Sequence, residues 1–185
     1  RDFGCDPTRF AESEYKPGSI SSFLELHIEQ GPVLDLAHKP IGVVSGISGP
    51  LWLTVKLRGM AGHAGSVPMP IRKDALVGAA EIIIALREIA TQVPGDPTVG
   101  TVGTLNVFPA SRNIIPEEVT FTVDLRDIDL DRRNRYEKQL RDRIEAITQK
   151  HGLTYSISED TNSAPRYCAD WIKEIIHNQC KALEL

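Results

Sequence analysis

Thiol chemistry has little to stand on in this sequence. Its three cysteines, Cys5, Cys168 and Cys180, are odd in number and form no C-x-x-C pair. That argues against a disulfide framework and against a thiolate zinc site. Cys180 falls in a helical apolar pattern and reads as a small core hydrophobe. No apolar run nears the roughly 20 residues that span a bilayer, and no charged-then-apolar leader opens the chain. A basic excess is lacking too: the net charge of -4 offers no general face for phosphate. There is no repeat at solenoid spacing and no low-complexity tract. These absences point to a soluble, cytoplasmic protein that binds neither nucleic acid nor membrane. What is present is an ordinary globular balance, with 41% apolar and 25% charged residues in 185. That length suits one domain, or one domain with pieces of a second.

The two ends read as internal cuts. Residue 1 is Arg, and Gly4, Pro7, Pro17 and Gly18 punctuate the first twenty residues. At the other end Ile172, Ile175, Ile176 and Cys180 share one side of a helical pattern over residues 171–185, which stops without Gly or Pro. Such a helix needs a surface to bury against, and part of that surface is expected to lie outside this stretch.

Between the ends the pattern is complete. Leu51, Leu53, Val55 and Leu57 alternate with Trp52, Thr54, Lys56 and Arg58, which predicts a half-buried strand. Leu76, Ala79, Ala80, Ile83 and Leu86 predict a helix over residues 72–92, closed by Pro94 and Gly95. Residues 99–107 alternate again, with Gly100 and Gly103 weakening the strand or admitting a close neighbour. Val119, Phe121, Val123 and Leu125 give the clearest strand. A second helix over residues 130–150 has Tyr136, Leu140, Ile144 and Ile147 as its stripe, Asp129 or Asp131 as its cap, and Gly152 as its stop. Leu153, Tyr155 and Ile157 supply a last strand. The order β-α-β-β-α-β is the split βαβ of ferredoxin-like folds, with two helices on one face of an antiparallel sheet. Upstream, Phe23, Leu24 and Leu26 read as a strand leading into a turn and a short helical patch at residues 32–36. That unit belongs to a larger sheet of α/β type.

Three clusters carry chemistry. His27, Glu29 and Gln30 follow the upstream strand and precede Gly31 and Pro32. Imidazole and carboxylate bind the same metal ions, although a hydrogen-bonded structural His fits those residues as well. The second cluster is GMAGHAGSVPMPIRKD at residues 59–74, where glycines flank His63 just after a strand. His63 there reads either as a donor to a carbonyl oxygen or oxyanion, or as a surface loop residue. The third is Ser111, Arg112, Asn113, Ile114, Ile115 and Pro116, followed by Arg126. An Asn amide and an Arg fork suit a carboxylate. A salt bridge from Arg126 to Asp124 or Asp127 is the plainer account of that residue. His38, His151 and His177 read as structural or solvated, and the charged run at residues 124–142 as mostly the wet face of the second helix.

Taken together the clusters resemble a known family. LHIEQG at residues 26–31, the 59–74 block continued by Ala75, and Asn113 to Pro116 followed by Asp124 and Arg126 are similar to signatures of the N-carbamoyl-L-amino-acid hydrolases and allantoate amidohydrolases. The blocks occur in the family's order, and the likeness spans residues 20–180. It implies an α/β catalytic domain that binds two divalent metals, interrupted by a ferredoxin-like dimerisation and lid domain. Residues 1–46 and 163–185 would then be catalytic-domain pieces and residues 47–162 the inserted domain, through which a homodimer forms. The resemblance implies His27 as a metal ligand and Gln30 as a substrate contact. It implies that His63 stabilises the tetrahedral intermediate, and that Asn113 and Arg126 hold the substrate carboxylate. The metals, zinc, manganese, cobalt or nickel, would activate a water, and a carboxylate would take its proton. The resulting hydroxide would cleave a linear amide or ureido bond of an N-carbamoyl-L-amino acid or allantoate.

The family's remaining ligands, a His, an Asp, a Glu-Glu pair and a further His, have no counterpart between Arg1 and Leu185. By itself this stretch is expected to hold no catalytic metal and to hydrolyse nothing. The competing class is an amino-acid-binding regulatory or dimerisation module without catalysis. It accounts for the βαββαβ unit but not for the His27 block or the glycine-flanked His63.

Overall fold

The computed structural model describes Gly4 and residues 6–185, so Cys5 lies outside the described residues. It divides into a first unit ending at Gly42 and a second from Val43 to Glu184. In the first, a 3-10 helix at Pro7–Ser13 is capped by Asp6, and α1 spans Val33–Leu36. No strand forms around Phe23, Leu24 and Leu26. Strand N–H and C=O groups need a neighbouring strand.

The second unit carries, in chain order, β1 (Gly46–Ile47), β2 (Gly49–Arg58), β3 (Gly62–His63), α2 (Ala75–Ala90), β4 (Val99–Thr101), β5 (Leu105–Phe108) and β6 (Ile114–Ile115). Then come β7 (Glu118–Asp127), α3 (Leu130–His151), β8 (Thr154–Asn162), β9 (Arg166–Tyr167) and α4 (Asp170–Ala182). The main sheet runs β4-β7-β2-β8, with β5 also on β7, and every pairing is antiparallel. With α2 and α3 between the strands this is the expected βαββαβ unit. The expected strand at residues 99–107 is two pieces, because the chain breaks step at Val102, Gly103 and Thr104 before rejoining β7. There Thr104 donates its N–H to the Thr122 hydroxyl.

Period-two alternation puts Leu51, Leu53, Val55 and Leu57 beside Val119, Phe121, Val123 and Leu125 on one face, all buried. α2 and α3 cover that face with Ala79, Ile82, Leu86, Tyr136, Leu140 and Ile144. Each fully buried Val, Leu, Ile or Phe among them contributes roughly 1.5–3 kcal/mol by leaving water. The opposite face, with Trp52, Thr54, Lys56, Arg58, Thr120, Thr122 and Asp124, is half-buried to exposed. Asp74 caps α2 through Leu76 N (2.9 Å) and Val77 N (3.2 Å), and Asp129 caps α3 through Arg132 N (2.9 Å). Gly152 ends α3 at φ 62, the left-handed position that favours glycine. On α4, Ile172, Ile176 and Cys180 are half-buried and no residue is fully buried, so Cys180 is not a core residue in this structure.

The charged run at residues 124–142 is less wet than expected. Asp127 and Arg133 are buried. Arg133 crosses from α3 to the chain where it enters and leaves the sheet. Its guanidinium donates to Gly49 O (3.0 Å), Ser163 O (2.5 Å) and the Asn162 side chain (2.5 Å). Its Nε has no partner among the described residues. Just outside, β1 pairs with β9, and Cys168 N donates to Ser45 O (3.0 Å). A Cβ on Gly49 would lie 2.3 Å from Ser163 O, so only glycine passes there.

Candidate functional site

Where β2 ends, the chain must cross the start of α2, and Gly59 is the crossing point: a Cβ there would lie 1.9 Å from Lys73 O. Gly59 N donates to Glu117 O (2.7 Å) and Met60 N to Lys73 O (2.9 Å). Beyond the crossing, β3 and β6 form a short ribbon in which His63 opposes Ile114 and Gly62 opposes Ile115. Ala64 N donates to Asn113 O (2.9 Å). The backbone at the His63 turn is therefore tied to the Asn113 loop, with Asn113 opposite Ala64.

The turn after His63 is closed by Ser66 N and Val67 N, both donating to His63 O (3.1 Å each). Gly65 N donates to His63 Nδ1 (3.0 Å). A ring nitrogen that accepts from an N–H carries a lone pair, so neutral His63 bears its proton on Nε2. A Cβ at Gly65 would sit 3.1 Å from His63 Cε1, so a larger residue there would push against the imidazole. In the facing loop the Ser111 hydroxyl donates to Asn113 Oδ1 (2.8 Å), which leaves the Asn113 amide N–H groups as its outward donors. The site thus offers two kinds of N–H donor to an oxygen-rich ligand.

Arg126 is elsewhere on the fold. It lies near the far end of β7, opposite Pro50 and Val99, with its guanidinium 6.0 Å from the Trp52 ring centre. It donates from Nε (2.8 Å) and Nη2 (2.6 Å) to Asp124, the salt bridge that residue type alone favoured, and that bond holds it more firmly protonated. Asp127 pairs instead with Arg132, at 2.6 Å. About 27 Å of strand, at ~3.4 Å per residue, separates Arg126 from Glu118, the end nearest His63 and Asn113.

His27 and Gln30 belong to the first unit, and Gln30 has a left-handed backbone at φ 56. Glu29 caps α1, its carboxylate accepting from Val33 N (2.8 Å) and Leu34 N (3.0 Å). Among the described residues no three His, Cys, Asp or Glu are grouped to hold a metal ion. The described residues therefore fit a metal only as contributors of single ligands. Among the described residues no helix is long and apolar enough to cross a membrane. His151 pairs with Glu81 (2.9 Å), His38 follows α1 at φ 52, and His177 is exposed on α4.

Residue type alone assigns no role to Arg72 or Ser111. Both stand inside the motif blocks, but nothing in residue type says that Arg72 folds back on the His63 turn. Its Nη2 donates to Ala64 O (2.7 Å) and its Nε to Val67 O (3.0 Å).

Residues 45–152 match the family model of the peptidase dimerisation domain. The chain is 45% identical over 183 residues to an N-carbamoyl-L-amino-acid amidohydrolase of Pseudomonas sp. (strain NS671), covering 99% of this chain and 44% of that protein. It is 39% identical over 161 residues to an allantoate deiminase of Arabidopsis thaliana, covering 78% of this chain and 31% of that one. A crystal structure of a hydantoinase/carbamoylase family amidase from Burkholderia multivorans superposes with a TM-score of 0.83 at 33% identity, over 85% of this chain and 38% of that one. The chain spans less than half the length of these relatives. Its matched region, sheet order and histidine-bearing ribbon together mean that the chain belongs to the peptidase dimerisation domain family, in its hydantoinase/carbamoylase branch.

Proposed function

We propose that this chain supplies the substrate-holding and dimer-forming part of a metal-dependent amidohydrolase acting on an N-carbamoyl-L-amino acid or allantoate. The observation that carries the reading is the short ribbon that joins the His63 turn to the Asn113 loop, with Gly65 N held on His63 Nδ1. In this reading residues 1–46 and 163–185 belong to the α/β catalytic domain and residues 47–162 form the dimerisation and lid domain. His27 supplies one ligand to a two-metal centre of zinc, manganese, cobalt or nickel, completed by residues outside this stretch. The metals, when bound, lower the pKa of a water.

The chain's own groups do the positioning. His63 donates to the oxygen that gains charge as the scissile carbon becomes tetrahedral. Asn113 and Arg126 hold the substrate carboxylate, Arg126 pre-oriented by Asp124. Gln30 contacts the substrate. His63 and Asn113 lie beyond the opposite end of β7 from Arg126, and this supports a site completed by two copies of the chain. α2 supports the same homodimer: Val77 and Ile84 are exposed on a helix that is apolar nearly all round. At the adjoining edge, β4 and β5 expose Val99 and Leu105.

The test compares metal content and hydrolysis of N-carbamoyl-L-amino acids and allantoate in the full-length enzyme, in this chain, and in the full-length His27→Ala variant. The full-length enzyme is expected to bind about two metals and to turn over, while this chain and His27→Ala lose both. A metal-free, inactive full-length protein that binds amino acids would leave a regulatory module instead.

A further inference from the structure

We propose that Arg72 is a positioning residue for the hydrolysis, acting through His63. The proposal rests on the catalytic role given to His63 above. A guanidinium is a flat, donor-only fork, and that of Arg72 spans two carbonyls of one turn, Ala64 O at 2.7 Å and Val67 O at 3.0 Å. Those carbonyls flank the peptide units whose N–H groups aim the imidazole. Ser66 N and Val67 N close the turn on His63 O, and Gly65 N holds Nδ1.

Arg72 itself stands two residues before Asp74, the cap of α2. Its N–H donates to Met69 O (3.2 Å) at the end of the 3-10 helix Met69–Ile71. The next two residues accept from Met60 N and cap α2. The α2 cap, two peptide links back to Arg72, its fork on the turn and the Gly65 N–H on Nδ1 thus connect the first turn of α2 to the His63 ring. Without the fork the His63 turn keeps its own bonds but loses its brace to the helix. The Nε2–H then no longer meets a developing oxyanion at a set distance. Lysine cannot replace it, because one ammonium on a flexible stem does not bridge two carbonyls in fixed geometry.

The experiment is a double-mutant cycle in the full-length metal-loaded enzyme, with Arg72→Met, Arg72→Lys, His63→Ala and the two double variants. Rates are expressed per folded dimer, as fixed by thermal melting and metal content. A misplaced donor costs transition-state binding, so Arg72→Met is expected to lower kcat by roughly 30- to 100-fold, with KM within about threefold. Arg72→Lys recovers only a small part of that loss. In the His63→Ala background, Arg72→Met changes kcat by less than about twofold, because the residue it serves is gone. Losses that simply multiply overturn the proposal, as does an Arg72→Met enzyme that melts earlier but keeps its kcat. A His63→Ala enzyme with unchanged kcat removes the role of His63, and the proposal with it. That outcome is told apart from the others by the single variant alone.

Discussion

Asp127 is a carboxylate with no exposed surface in the middle of a charged run. Burial pushes its carboxyl up, but the fork of Arg132, the Thr98 hydroxyl and Asp129 N outweigh burial and hold it below the usual carboxylate range. A folded-state value below the unfolded one means stability that is full above the unfolded pKa near ~3.9 and is lost as pH falls through the folded value. Asp127→Asn is thus expected to cost about 3 kcal/mol near neutrality, read as a lower Tm. The gap to the parent chain should close as pH is taken below ~4; a gap that persists in stronger acid would mean the charge of Asp127 is not its source. The same residue shows where single positions are legible. His63, Asn113 and Arg126 stand out because their types suit oxygen ligands, and the first two lie on joined segments of backbone. Asp127, Arg133 and Arg72 do not, since burial of a charge depends on partners 5 to 84 positions away.

Elements were the most legible scale, because periodicity is local. β2, β7, α2 and α3 fall within a few residues of their expected spans, and Asp129 proves to be the cap of α3. Misses occur where an element depends on something distant. The segment holding Phe23, Leu24 and Leu26 has strand-like composition but no adjoining strand, and the break between β4 and β5 is set by Thr122 on another strand. The junction of β2 with α2 allows a ranked test. Asp74→Ala removes a side-chain cap and is expected to cost about 1 kcal/mol. Gly59→Ala forces a Cβ against Lys73 O, a backbone atom that cannot swing aside, and is expected to cost about 3 kcal/mol. Urea unfolding of both variants checks the order; a Gly59→Ala chain as stable as Asp74→Ala would show that the crossing is loose.

At the scale of the whole molecule the two helices differ in what they offer the outside. α3 turns Glu137, Lys138, Arg141 and Asp142 outward in i,i+4 ion pairs, whereas α2 turns Val77 and Ile84 outward. Ile84→Glu is therefore expected to leave the melting of the single chain unchanged while weakening self-association more than 100-fold, equivalent to ~3 kcal/mol. Light scattering across a dilution series reads this directly, and an unaltered dimer would move the interface away from α2. The seam beside Arg133 has another consequence, a mechanical one. Incoming and outgoing strands lie antiparallel, edge to edge, with hydrogen bonds perpendicular to both. Tension applied to the two ends would open such a seam like a zip, one bond at a time, instead of shearing all of them together. Arg133, straddling Gly49 and Ser163, is the tie that such a tear meets before it reaches the ten-residue strand behind it.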